Sequence, residues 1–205
     1  ARRQAEAAWD AALNSIQIGA QDPDERTVFY TAMYHSLTVP NLASDVDGRY
    51  RGTDLQVCQG DVASPRYTVY SLWDTFRATH PLLNVLEPER TEQFIRNFIG
   101  MHEEGGSLPM WELAGNYTGC MIGYHAVPVI ADAWAKGLRN FDADKALEAM
   151  VAEATADELA KPVWDSLGYL PLEKESESVS KTLEYAFDDA CIARMAADMG
   201  KKGVA

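Results

Sequence analysis

Basic residues are scarce in this chain: 18 Lys and Arg stand against 31 Asp and Glu, for a net charge of −13. Neutralising a phosphate backbone takes clustered Lys and Arg. The shortage therefore excludes nucleic acid as a partner, and anionic membrane surfaces with it. Long hydrophobic runs are also missing. No apolar stretch approaches the roughly 20 residues of a spanning helix, and no basic-then-apolar signal peptide is visible in the sequence. Cysteine is limited to Cys58, Cys120 and Cys191. An odd number at unrelated spacings gives neither a disulfide framework nor a zinc knuckle, so buried or idle thiols are expected. No short-period repeat or low-complexity tract occurs.

What is present is an ordinary globular composition, 47% apolar and 24% charged over 205 residues, enough for one sizeable core without a composition break. Helical spacing of apolar residues recurs along most of the chain. It runs over residues 1–18, with Ala5, Ala8, Trp9, Ala12, Leu13 and Ile16, and again from Asp22-Pro23-Asp24-Glu25 to Pro40. Residues 87–99 carry the stripe Thr91, Phe94, Ile95, Phe98, Ile99. Further helices are predicted over 118–136 with a kink at Pro128, over 141–154, and from 178 to 199; residues 158–170 read as partly loop. The sum is an all-α fold of six or seven helices, often in antiparallel pairs, with strands a minor addition. Residues 41–68 break the pattern, apart from a short hairpin that Tyr50, Leu55 and Val57 could form. A loop of that length inside a compact domain usually serves a function. Its Asp45-Val46-Asp47-Gly48 faintly resembles a calcium loop, but the twelfth position, which should be Glu, is Gln56.

Three groups of residues carry candidate chemistry. Residues 105–134 gather Trp111, Glu112, Asn116, Thr118 and His125 around glycines that permit close backbone approach. A carboxyl beside Trp111 could be desolvated and so suited to act as an acid, while His125 reads more readily as a satisfied helix-face histidine than as a ligand. Asp74 and Arg77 stand three apart with Trp73 and Phe76 between and beside them. Aromatic faces with an acid and a cation on one turn can hold a sugar, and the same spacing suits a plain local ion pair. Finally, Glu184 and Asp188 lie at i and i+4, where like charges repel by a few tenths of a kcal/mol. They need solvent, cations, a metal or hydrogen-bond donors.

Four blocks taken together resemble the catalytic domain of glycoside hydrolase family 92, the calcium-dependent exo-acting alpha-mannosidases. They are Tyr34-His35-Ser36-Leu37 with residues 40–52; Tyr70-Ser71-Leu72-Trp73-Asp74-Thr75-Phe76-Arg77 with His80-Pro81-Leu82; Leu108-Pro109-Met110-Trp111-Glu112 through Gly123-Tyr124-His125; and residues 178–189. The resemblance implies part of an (α/α)6 toroid, with residues 1–205 a single internal segment lacking a preceding β-sandwich and the toroid's C-terminal part. It implies removal of terminal alpha-linked mannose, alpha-1,2 in the first place, from N-glycans or mannan. Hydrolysis would invert the anomeric carbon, with an acid and a base roughly 6.5 to 9.5 Å apart. Calcium would grip the sugar hydroxyls through ligands largely outside this chain.

The family's acid belongs to a Glu-Gly-Asn block and its base to a Gly-Asn-Asp block, and neither occurs here. The segment alone is therefore expected to be inactive and to depend on the remainder of its catalytic domain. Carried over by the resemblance, Asp74 is the hydroxyl-binding carboxylate, supported by Arg77. Trp111, Glu112, Asn116 and His125 line the same pocket, with Glu112 the one candidate for a substitute acid. The resemblance also implies a secreted, periplasmic or cell-surface enzyme. A non-catalytic sugar-binding or helical scaffold module is the competing reading.

Overall fold

The computed structural model describes residues 1–19 and 22–204. They form two compact units, Ala1–Asn41 and Leu42–Ala205. The first holds α1 (Arg2–Leu13) and α2 (Pro23–Ser36). Helix α1 stops short of the expected Ile18 because Asn14 and Ser15 turn their side chains onto the carbonyls of Asp10 and Ala12, at 2.7 and 2.9 Å, competing with continued helix. Helix α2 starts where the sequence indicates: Asp22 accepts the Asp24 N–H at 2.9 Å and Pro23 occupies the first turn. Trp9 and Tyr34 pack ring to ring at 4.6 Å.

After β1 (Asn41–Leu42), the second unit runs β2 (Arg49–Arg51), β3 (Val57–Gln59), β4 (Tyr67–Thr68), β5 (Tyr70–Ser71), α3 (Leu72–Thr75), α4 (Thr79–Leu86) and α5 (Pro88–Gly105). It continues with β6 (Trp111–Leu113), β7 (Asn116–Tyr117), α6 (Ala126–Ala135), α7 (Ala143–Ala154), α8 (Lys161–Leu167) and α9 (Ser178–Asp198). The expected six or seven helices thus become nine among the described residues, because α3 and α8 are too short to show a helical period. The fold is helix-rich rather than purely α, since β2–β3 form a hairpin and β5, β6 and β7 a three-stranded antiparallel sheet.

Helix α6 is apolar nearly all round and is accordingly central. It packs on α9, with α4, α5 and α7 also against it. Val127, Ile130 and Ala133 of α6, Ile95 and Phe98 of α5, Met150 of α7 and Tyr185 of α9 are all without solvent access. The long 41–68 segment is not loose. Its Arg66 grips Glu104 of α5 with both terminal nitrogens, at 3.1 and 2.8 Å, while Tyr50 and the Thr53 N–H donate to the same carboxylate at 2.8 and 3.1 Å. A bidentate pair this buried is held by its full set of partners.

The predicted helix over 118–136 is corrected to Ala126–Ala135. Residues 119, 121 and 123 have left-handed backbone, with φ of 66°, 69° and 75°, which no right-handed helix tolerates. Pro128 consequently falls in the first turn of α6, where an N–H would have no intrahelical partner, so its ring need not kink the helix. Pro128→Ala is therefore expected to lower stability by about 1 kcal/mol through the unfolded chain's added freedom; relief of an interior kink would raise it instead, and denaturant unfolding distinguishes the two.

Candidate functional site

The small sheet sorts the candidate residues. Ser71 pairs with Trp111, Tyr70 with Glu112, Glu112 with Tyr117 and Leu113 with Asn116. Strand alternation then places Ser71, Trp111 and Asn116 on one face and Tyr70, Glu112 and Tyr117 on the other. The chain leaves β5 directly into α3, whose first N–H, on Leu72, donates to Met110 O at 3.3 Å. On that single turn Asp74 is exposed, and the Ser71 hydroxyl donates to its Oδ2. Among the described residues Asp74 has no other partner, so its remaining lone pairs face solvent beside Trp111's side of the sheet.

Glu112 occupies the opposite face, 3% exposed. Thr68 Oγ1 lies 3.0 Å from both its oxygens, and the Gly115 N–H donates to Oε1 at 2.6 Å. Burial pushes the Glu112 carboxyl above its ordinary range, while the bonds from Gly115 and Thr68 and the charge of Arg66 pull it back. Trp111 and Glu112, expected to line one pocket, point to opposite faces of the sheet, as adjacent strand residues do. Asn116 is exposed, and its amide donates to Leu113 O and Ala114 O at 3.3 and 3.1 Å, closing the β6–β7 turn.

His125, 1% exposed, lies at the head of α6 between two acids of α9. Its Nδ1 is 2.8 Å from Asp188 Oδ1. Its Nε2 is 2.9 Å from Glu184 Oε2, but off the ring's N–H direction, so that contact is electrostatic rather than a well-aligned hydrogen bond. Phe76 stacks on the imidazole at 4.1 Å. The Asp74–Arg77 ion pair suggested by spacing does not form. Arg77 reaches instead to Glu184 Oε1 at 3.0 Å, with its guanidinium 5.0 Å from the Trp73 ring and 4.7 Å from Phe76. The acids of α9 are thus met by donors. Asp188 has no exposure at all and also accepts the Tyr124 N–H at 2.9 Å. Burial raises its carboxyl, opposed by His125.

The sequence reading missed the neighbouring buried cluster. Lys161, 1% exposed, donates to Tyr124 Oη at 2.9 Å and lies 3.6 Å from Asp189, ringed by Tyr124, Tyr185 and Trp164. Tyr124 and Trp164 both donate to Asp189. Burial lowers the Lys161 amine and Asp189 raises it again. The available signal was the pairing of two neighbours with two neighbours: Tyr124-His125 onto Asp189 and Asp188.

Several hollows adjoin the sheet. One of about 550 Å³ is lined by residues including Trp73, Tyr117, Met121, Ser180 and Lys181. A second, of about 260 Å³, holds Glu112, Glu153 and Glu158. Glu153 accepts the Leu108 N–H at 3.0 Å, and burial lifts its carboxyl from 4.5 to about 7. A raised acid keeps a proton in the fold that the unfolded chain gives up. Its stabilisation is full below pH 4.5 and is lost as pH rises through about 7, up to about 3 kcal/mol. Unfolding measured on both sides of that window should show the loss, and Glu153→Gln should remove it.

Among the described residues no three His, Cys, Asp or Glu side chains converge as a metal site. In the loop at 45–48, Asp45 caps the Val46 N–H and Asp47 holds Arg49 through its N–H and Nε, at 3.1 and 2.7 Å. The three cysteines are free thiols. No helix among the described residues is long and apolar enough to cross a membrane.

Asp74 is thus an exposed carboxylate on the single turn of α3, next to Trp73. Comparison with known proteins gives the family. The model of the glycosyl hydrolase family 92 catalytic domain matches residues 1–205, and the chain belongs to that family. It is similar to the family GH92 alpha-mannosidase BT3965 from Bacteroides thetaiotaomicron, at 40% identity and a TM-score of 0.95 over 99% of this chain and 28% of that one. The family GH92 inverting mannosidase BT2199 from Bacteroides thetaiotaomicron VPI-5482 is 35% identical, with a TM-score of 0.90 over 98% of this chain and 28% of the other. An uncharacterized secreted glycosidase of Arthroderma benhamiae is 24% identical over 98% of this chain and 24% of its own length. The chain thus spans about a quarter of the relatives it matches.

Proposed function

We propose that this chain is the part of an exo-acting alpha-mannosidase that holds the hydroxyls of a terminal mannose, within an (α/α)6 toroid completed by other residues of the catalytic domain. The observation that carries this reading is Asp74, an exposed carboxylate fixed by Ser71 on the side of the sheet that bears Trp111. Asp74 accepts hydrogen bonds from vicinal ring hydroxyls, and Trp111 offers an apolar face to the ring. Arg77 supports the turn, Asn116 holds the β6–β7 hairpin, and His125 anchors α3 and α9 beneath it. A family relative has been solved in complex with mannoimidazole, which agrees with a mannose-shaped pocket.

The reaction in the intact enzyme would be inverting hydrolysis of alpha-linked mannose, alpha-1,2 first, from N-glycans or mannan. The acid and base that cleave the bond, and the calcium ligands, are assigned to residues outside this segment. When bound, calcium would neutralise charge and template the sugar hydroxyls. Val179, Leu183 and Phe187 form a stripe along α9 that is 74, 67 and 47% exposed. A stripe this apolar suits packing by the remainder of the domain. The relative described as secreted supports placing the enzyme outside the cytoplasm or at the cell surface.

The 205-residue chain by itself should release no mannose from alpha-1,2-mannobiose in the presence of calcium. EDTA-sensitive turnover by the isolated chain would overturn this division of labour and make Glu112 the leading acid.

A further inference from the structure

The chemistry proposed for Asp74 depends on a helix that cannot hold itself. Helix α3 is four residues long, and one turn of helix is far below the length at which backbone hydrogen bonding offsets its ordering cost. Its direction must come from outside. At its start the anchor is the sheet, through the Leu72 N–H on Met110. At its end the anchor is Arg77, which is fastened twice. Its Nε donates back to Trp73 O at 3.2 Å, and its terminal nitrogen reaches Glu184, 107 residues away in the chain.

Glu184 divides its carboxylate between two cations or donors. Oε1 receives Arg77 and Oε2 faces His125. His125 is in turn fixed from behind by Asp188, which has no freedom to move in the core. The contacts close into a ring: Glu184 to Arg77, Arg77 over Trp73 and Phe76, Phe76 stacked on His125, and His125 back to Glu184. Asp74 sits on the arc between Trp73 and Phe76. A ring of this kind leaves the carboxylate of Asp74 few orientations, and pre-organised acceptors lose less entropy when they bind.

We propose that Glu184 is a positioning residue for the sugar pocket, which through Arg77 fixes the turn that carries Trp73 and Asp74. This rests on the reading of Asp74 as a hydroxyl-binding carboxylate. Glu184 touches no sugar itself; its charge acts on the guanidinium, and the guanidinium on the turn.

The test is a set of cycles in the intact enzyme, read as kcat/KM for alpha-1,2-mannobiose and as the Kd of mannoimidazole. Glu184→Gln keeps the shape and removes the charge. Both it and Arg77→Gln should weaken Kd and kcat/KM by about 10- to 100-fold, and the double variant should lose no more than the worse single one. On an Asp74→Ala background Glu184→Gln should add almost nothing. Independent losses that multiply, or wild-type values for Glu184→Gln while Asp74→Ala is crippled, would overturn the positioning role. Wild-type behaviour of Asp74→Ala would instead remove the pocket reading on which it rests. Should Glu184→Gln fail to fold, the half-exposed Arg77→Gln tests the same link, and its wild-type binding would sink the proposal equally.

Discussion

Asp74→Ala in the intact enzyme is expected to lower kcat/KM for a terminal alpha-mannoside about a thousandfold. The carboxylate is exposed, and one of its oxygens is committed to Ser71. That leaves acceptor sites for two sugar hydroxyls, and hydrogen bonds to a charged group contribute about 1.5 to 3 kcal/mol each. Asp74→Asn keeps the size and one acceptor, so its loss should be smaller by at least about tenfold. The Kd of mannoimidazole should weaken in the same order. Unchanged kinetics for Asp74→Ala would remove the residue from the pocket.

The second large effect is on stability. A Cβ at Gly123 would stand 2.3 Å from His125 Nε2, 2.6 Å from Cε1 and 2.9 Å from Cδ2, at a φ of +75°. The imidazole would have to leave its place between Asp188 and Glu184. Breaking a buried charge contact from one side costs about 3 to 5 kcal/mol, and the left-handed backbone adds about 1 to 2 kcal/mol for a residue with a Cβ. Gly123→Ala should therefore lose at least about 4 kcal/mol or fail to accumulate as folded protein. Gly119 is the control: its φ is +66° and nothing lies within 4 Å of an added Cβ, so Gly119→Ala carries the backbone cost alone. Equal losses for the two variants, by denaturant midpoint, would show that His125 is not the reason Gly123 is glycine.

Gly123 also marks where sequence reading fails. Helices α5 and α7 are legible because each keeps a 3.6-residue apolar period over ten or more residues, and α2 and α7 because each begins on recognisable residues, Asp22-Pro23 and Asp142. The start of α6 is not legible. Residues 118–125 are small and apolar enough to continue a helix, and nothing in their order reveals the left-handed backbone at Met121. Glu184 with Asp188 stands out in the sequence as a charge conflict that needs donors. The donors themselves come from far along the chain, 107 residues away for Arg77 and 63 for His125, and local spacing instead suggested the Asp74–Arg77 pair. Trp111 and Glu112 looked like partners because they are adjacent. A strand of three residues is too short to announce itself, and its alternation is what separates them.

We propose that this segment supplies the hydroxyl-holding wall of a mannose pocket from the Asp74 and Trp111 side of the small sheet. A structure of the intact enzyme with mannoimidazole bound is expected to show an Asp74 carboxylate oxygen within about 3.2 Å of a ring hydroxyl, with the Trp111 indole against the sugar and the cleaving carboxylates contributed by residues outside this segment. An inhibitor seated away from Asp74, or held by Glu112 on the opposite face, would contradict it.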